Sequence, residues 1–514
     1  MKKTLLASLI FMCAHSSYAL DLDTISRDAL LSSDRLSSIS SADLIDHSQQ
    51  AVQALKHRLE TAKDGETILI TSGKYAHLGE VKITADNLTI QAEEPGKTWF
   101  TGLVQLNLDG NNSRLDGLVF TEGGPNDEDG GIVINGDNNT LTNSTFYYFN
   151  DGYTYQPDTK RQEYPKRLWI TVWGESATIT LNRFEGKQKR GALILLQKDN
   201  TPDNHVVEKN IFLDMSKGHF GELDIKEAIR INSNSWEAVQ MGFSTTSQYP
   251  SNSSFSDNLL INMDGEQELV AVKSGGNKIL GNTIYQSAGL ISLRHGKANN
   301  IENNIIIGGD KNLTGGIRIY DEDHVVHNNY ITQTRMGEEG IAGNADVRAG
   351  IVINTGIIDV ANGEKLSKET KGKELNKQWT PKNIKITNNS LINNENGIVY
   401  GEQVHRVSMY DNKVVGSVFG GDTVHFSHNF VSAGKETNIA IKATEVTPLT
   451  NVTNEGEVYI GQIVEPNFVQ EFTTVLSDTT KINGFVSSPS VGADVSKLSV
   501  VTADIAGPSY IVTK

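Results

Sequence analysis

The sequence predicts an all-β chain wound as a right-handed parallel β-helix, with an N-terminal helical cap and a C-terminal β-rich tail. Three observations carry the prediction. Short β-rich runs of three to five residues alternate with Gly or Asn turns along most of the chain. A unit of 20 to 30 residues keeps returning, clearest in LVAVKSGGNKILGNTIYQ, LISLRHGKANNIENNIIIG and GIRIYDEDHVVHNNYITQ, whose Asn282, Asn304 and Asn329 are 22 and 25 residues apart. No ten-residue helical stretch fits inside a unit, which excludes leucine-rich and helical repeats and leaves a stacked β-solenoid.

Residues 1–19 carry Lys2 and Lys3, an apolar run over 5–12, and Ser17-Tyr18-Ala19, a small-x-small site suited to signal peptidase. They predict export, to the periplasm or beyond, and the apolar run is too short to span a bilayer. The next segment, 20–65, holds a cap helix: Val52, Leu55, Leu59 and Ala62 recur at helical spacing, and Asp64-Gly65 stops the pattern before Thr67-Ile68-Leu69-Ile70. The β-helix is expected over 66–432. Its corners are marked by further asparagines at Asn143, Asn182, Asn210, Asn258, Asn389, Asn412 and Asn429. Asn tolerates left-handed backbone, and stacked Asn side chains can bond to the next coil. Residues 232–256 and the lysine-rich 363–382 read as insertions. After Ser432 the Asn turns stop, and 433–514 is expected to cover the C-terminal end, since open coil ends need covers.

Composition excludes several chemistries. The one cysteine, Cys13, lies in the export segment, so disulfides, thiolate metal sites and a Cys nucleophile are ruled out of the mature chain. Loss of Lys2 and Lys3 leaves 44 basic against 62 acidic residues and moves the formal charge from −16 to −18. Nonspecific nucleic-acid binding is disfavoured, and a polyanionic ligand needs a local basic groove.

Such a groove is visible in the repeats. Lys273, Arg294 and Arg318 lie nine, ten and eleven residues before their Asn turns, nearly the same place in successive coils. With strands about 4.8 Å apart, they are expected to form a column on one face. Glu266 and Glu268, two residues apart on the strand entering Lys273, are expected to share a side. Cations at that spacing repel unless anions interleave them, which a polyuronate would do.

At these residues the sequence resembles polysaccharide lyase family 6, the β-helical alginate lyases and chondroitinase B. The resemblance runs from about residue 67 to 329. It includes DGETILITSGKY after the cap, LDGLVFTEGG at 115–124, NRFEGKQKRG at 182–191, AIRI at 228–231, DGEQELVAVKS at 264–274, LISLRHG at 290–296 and GGIRIYDEDHVVHNNY at 315–330. The resemblance implies Lys273 as catalytic base, Arg294 as acid and Glu266 and Glu268 as calcium ligands. His295, Arg318, Arg190 and Arg230 are then expected to contact substrate. One departure stands out. Where the family places an Asn ligand, this chain reads Asp224-Ile225-Lys226-Glu227-Ala228. Asp224 could complete a calcium site with hard oxygen ligands, or Lys226 could put its ammonium between the two glutamates instead; three carboxylates favour calcium.

These residue types suit β-elimination on an acidic polysaccharide. Removing the C5 proton of a uronate requires a cation at the carboxylate where charge develops. A lysine base requires a pKa drawn down, here by Arg294, Arg318 or a metal, and an alkaline optimum follows. Guanidinium is a very weak acid, so Arg294 is expected to work through water or by its field. A β-helical glycoside hydrolase would need a carboxylate pair, for which Asp264, Glu266 and Glu268 are candidates, and a noncatalytic polysaccharide-binding β-helix would need no reacting groups. A sulfated glycosaminoglycan would favour additional Arg forks, of which the sequence shows no excess, so alginate is the expected substrate.

Overall fold

The computed structural model describes residues 21–151, 166–197, 199–216, 235–337, 348–356, 379–402, 421–434, 438–443, 449–464, 479–488 and 490–513. Its body is a parallel β-helix with three faces. The first face stacks thirteen strands, from Thr67–Ile70 to Thr453–Glu455. The second runs from Gly73–Ala76 to Val458–Ile460, and the third from Gly79–Ile83 to Gln462–Val464. The two are joined near the start by one long strand, Thr98–Leu108, which pairs into both. Most strands have three residues, and one or two of each point inward, so the core is a column of stacked side chains. On the second face Phe120, Phe146, Phe184 and Phe212 stack with neighbouring ring centroids 4.5, 5.4 and 5.1 Å apart, and aliphatic Leu260 and Ile284 continue the line.

The helix Gln49–Glu60 closes the N-terminal end. Ser48 caps it through a bond from the Ala51 N–H, and Val52 and Leu59 are buried against the first coils. No helix among the described residues is long and apolar enough to cross a membrane.

A file of buried asparagines ties coil to coil at the corner between the first and second faces. Asn182, Asn210, Asn258, Asn282, Asn304, Asn329 and Asn389 each donate both backbone N–H and side-chain Nδ2 to the Oδ1 of the next asparagine, Asn429 ending the file, with Nδ2···Oδ1 distances of 2.9–3.1 Å. The Asn-turn reading holds, but for a different reason from the one the residue type suggests. The left-handed residue is the one before each ladder position, such as Leu181, Lys209, Asp257 or Gly281. The ladder asparagines themselves serve as hydrogen-bonding links. Asn143 precedes Ser144, which takes the ladder place in its coil, and Asn412 lies outside the described residues.

Two expectations change. Of the segment 232–256, the described residues 235–256 belong to the coil: they hold a third-face strand, Val239–Met241, and a first-face strand, Ser254–Ser256, separated by a long turn. The lysine-rich 363–382 lies mostly outside the described residues. The segment 433–514 is not one end cover either: the strands Ile439–Ala443, Thr453–Glu455, Val458–Ile460 and Gln462–Val464 continue the β-helix past residue 432. The described residues 479–488 and 490–513 run back along the second face, whose outward side is itself apolar. Ile211, Leu213, Leu259, Ile261, Tyr285 and Ile305 are buried there under Phe485, Val495, Leu498 and Val501. The tail ends as Tyr510–Thr513, paired in parallel with Ser37–Ser40 near the N-terminus.

The ladder ends on a carboxyl group. Glu457 Oε1 accepts from Asn429 N and Nδ2, each at 2.8 Å, and Oε2 accepts from the Tyr459 hydroxyl at 3.0 Å. Burial outweighs these bonds and pushes Glu457 up to about 7. A carboxyl raised in the folded state adds stability below its unfolded pKa and loses it as pH rises through about 7. Glu457→Gln keeps an acceptor for Asn429 and carries no charge. It is expected to raise the melting temperature by a few degrees at pH 8, corresponding to about 3 kcal/mol, and by much less at pH 5. Thermal unfolding at the two pH values checks this; an equal shift at both would contradict it.

Candidate active site

The third face brings the sequence-derived cations together. Consecutive coils pair Val239, Val270, Ile291 and Ile317 as inward residues, then Gln240, Ala271, Ser292 and Arg318 as outward ones, then Met241, Val272, Leu293 and Ile319 as inward ones again. Lys273 and Arg294 each follow that triplet. The expected single column is therefore incomplete: Arg318 pairs with Ser292, two positions earlier, and Tyr320 takes the place equivalent to Arg294. A bulge between Val272 and Lys273 also sets His295 opposite Lys273.

What unites the three cations is Glu268. Its Oε2 lies 3.4 Å from Lys273 Nζ, and its Oε1 lies 3.2 Å from Arg294 Nε and 2.5 Å from Arg318 Nη2. Arg318 is further fixed by Ser292 Oγ, at 3.1 Å from Nε and 2.9 Å from Nη2. Both guanidinium groups lie over the Tyr320 ring, 5.5 and 5.4 Å from its centroid. The interleaving anion is thus supplied by the protein. Burial alone would push Glu268 up, but Lys273, Arg318 and Arg294 hold it at about 2.

Lys273 has a second carboxyl neighbour that the sequence reading missed. Glu237, almost fully buried, places Oε1 3.4 Å from Lys273 Nζ. Its strand lay inside the segment read as an insertion, and no Asn turn follows at the usual distance. Glu266, also buried, accepts the Trp236 N–H at 3.4 Å and is hydrogen-bonded to Glu237. Burial, then the charges of Glu237 and Glu268, raise Glu266 well above the usual carboxylate range, which favours its neutral form. Glu266 and Glu268 therefore part company, one against a carboxylate and the other among cations.

This arrangement corrects one expectation about Lys273. Burial opposes its ammonium, yet Glu268 first and then Glu237 more than offset that and raise its pKa above the ordinary lysine value. Arg294 draws it down in part, but by less than the carboxyl groups raise it. His295 is fully buried and presents no surface to a ligand. Burial, then Arg294, Lys273 and Arg318, push it far below its usual range, and among the described residues neither ring nitrogen has a hydrogen-bond partner. Arg190 is half-buried beside Lys166, whose amine is pushed down by burial and, in part, by the charges of Arg190 and Lys273. Arg230, Asp224 and Lys226 lie outside the described residues.

A calcium ion, which the family resemblance implies, does not fit the described donors. Both oxygens of Glu268 face cations, and Glu266 is turned to the Trp236 N–H and to Glu237. Among the described residues no group of three or more His, Cys, Asp or Glu is arranged to hold a metal.

A β-solenoid that gathers three cations of adjacent coils round one shared glutamate is suited to an anionic ligand. The chondroitinase B family model matches residues 49–456. Over 96% of this chain and 100% of theirs, two solved structures are 54% identical: a family 6 alginate lyase in complex with a trisaccharide, TM-score 0.91, and the alginate lyase AlyF-OU02 with G6, TM-score 0.90. A mannuronic acid specific family 6 lyase from human gut microbiota shares the fold at 22% identity, covering 81% of each chain with a TM-score of 0.60. A search of curated protein sequences finds no match. The chain belongs to polysaccharide lyase family 6, the family of chondroitinase B.

The raised pKa sets a pH dependence. If the neutral amine of Lys273 is the reacting form, kcat/KM should climb as pH rises through the alkaline range. Glu237→Gln removes one group that stabilises the ammonium, so the climb should move to lower pH. A pH profile that stays put in the variant would contradict the role given to Glu237.

Proposed function

We propose that this enzyme cleaves alginate by β-elimination, with Lys273 as base. The observation that supports this most is the position of Lys273 Nζ between Glu237 and Glu268, with Arg294 and Arg318 on the far side of Glu268. In the reaction, neutral Lys273 takes the C5 proton of a uronate. The electron pair forms the C4–C5 double bond as the C4–oxygen bond breaks, and the departing oxygen takes a proton from water held at Arg294. Negative charge developing on the uronate carboxylate is met by Arg294 and Arg318, which Glu268 and Tyr320 keep in place before substrate arrives. Their cationic field takes the part that a bound metal would otherwise fill. Residues 1–19 fit this reading as an export signal, because the polymer is too large to be cut inside the cell.

Two relatives of 54% identity described as alginate lyases favour alginate, while the chondroitinase B family model keeps a sulfated glycosaminoglycan as the second reading. Incubation with alginate and with dermatan sulfate separates the two. The expected result is an ultraviolet-absorbing unsaturated uronate from alginate alone. Lys273→Ala should lose about 10²-fold or more in kcat while staying folded. A saturated new end would mean hydrolysis, and a variant retaining more than about a tenth of wild-type kcat would remove Lys273 as base.

A further inference from the structure

The third-face position that Lys273 occupies is filled in the preceding coils by residues that take no part in the elimination itself. After each inward triplet the chain presents one more residue before it turns towards the first face. Val172 pairs with Leu196, Leu196 with Met241, and Met241 with Val272, so Trp173, Gln197, Gly242 and Lys273 occupy that position in successive coils. The ladder bonds continue through it: Trp173 N donates to Ile134 O, Gln197 N to Val172 O and Gly242 N to Leu196 O, at 2.7, 2.9 and 2.9 Å. The four residues form a straight file.

Each member of the file is unusual for a solvent-facing position. Trp173 is 57% exposed and is the one aromatic among the large exposed apolar side chains of the described residues. An indole left in water at the end of a strand loses the burial that aromatic side chains usually find. Gln197 is buried to 9% exposure, and its Oε1 has no hydrogen-bond partner among the described residues. A buried amide oxygen without a donor is costly. Gly242, at φ +89°, keeps the floor clear next to the base, where a Cβ would come within 2.7 Å of Lys273 O. An exposed ring, an unmet acceptor and a bare backbone thus lead in line to Lys273.

We propose that this file is a sugar track and that Trp173 is its distal platform, stacking on a pyranose ring of the polyuronate about three units from the bond that is cut. Coils are spaced about 4.8 Å apart, close to the advance of one unit in an extended uronan, so three coils place Trp173 about 14 Å from Lys273. The C–H face of a pyranose meets the electron-rich face of the indole, and the carboxylate at the ring's rim stays clear of it. The inference rests on the lyase reading of the same site.

Steady-state kinetics on oligouronates of graded length and on the polymer test it. Trp173→Ala should raise KM on the polymer by about tenfold, in line with the loss of one aromatic stack, with the change falling on KM far more than on kcat. The penalty should grow with chain length, and the size distribution of the products should shift. Trp173→Phe should recover most of the loss, and since the side chain is exposed, both variants should melt with the wild type. A polymer KM within about twofold of wild type, with the same product sizes, would overturn the track. A wild-type enzyme inactive on every uronan would instead defeat the lyase reading beneath it.

Discussion

From Asn182 to Asn429, each coil is tied to the next by a buried asparagine whose side-chain oxygen receives two N–H groups from its neighbour. Everything else in the molecule inherits the regular rise that this bond enforces. An amide that misses its partner in a dry corner would leave two donors and an acceptor unmet, so slippage of one coil is costly along the whole file. The fixed rise turns residues that are 20 to 30 positions apart into neighbours, and this is how Lys273 and Arg294 come to stand beside each other.

The active face departs from that regularity at the point where chemistry requires it. Three cations on adjacent coils would repel, and the protein answers with Glu268, reached by all three. Buried ion pairs of this sort contribute little net stability, because desolvation offsets their attraction, but removing one partner leaves uncompensated charge. Their value is in holding two guanidinium groups and an ammonium at set positions before an anionic sugar arrives. The same enclosure keeps Lys273 charged at rest, so Glu237 and Glu268 govern the base as well as the cations.

Much of this was legible in the sequence. The spacing of Asn282, Asn304 and Asn329 gave away the coil, and the distances of Lys273, Arg294 and Arg318 from those turns gave away the cationic cluster. Signals failed where a coil lacked its marker. Glu237 belongs to a coil with a twelve-residue turn between its third-face and first-face strands, so its strand read as part of an insertion. Arg318 kept nearly the right distance from its turn but sits two positions earlier on the strand, a difference that residue counting across turns of unequal length cannot detect. Tyr320 carried no signal of its role, because nothing in a sequence shows two guanidinium groups over a ring. The tail read as an end cover since its pattern shows only that it is strand-like. Its true partner is the apolar outer side of the second face, whose outward residues resemble core in the sequence.

The pair Glu266 and Glu268 gives the most direct test of the charge arrangement, because the two glutamates are assigned opposite protonation states. Glu266→Gln replaces a neutral acid with its near-isostere, whereas Glu268→Gln removes the anion shared by three cations. Measured side by side, with and without a chelator, Glu266→Gln should stay within about tenfold of wild-type kcat/KM, Glu268→Gln should fall by about 10²-fold or more, and chelation should change neither. Equal losses in the two variants, together with wild-type activity abolished by chelation and restored by calcium, would contradict the account and return both carboxylates to a metal.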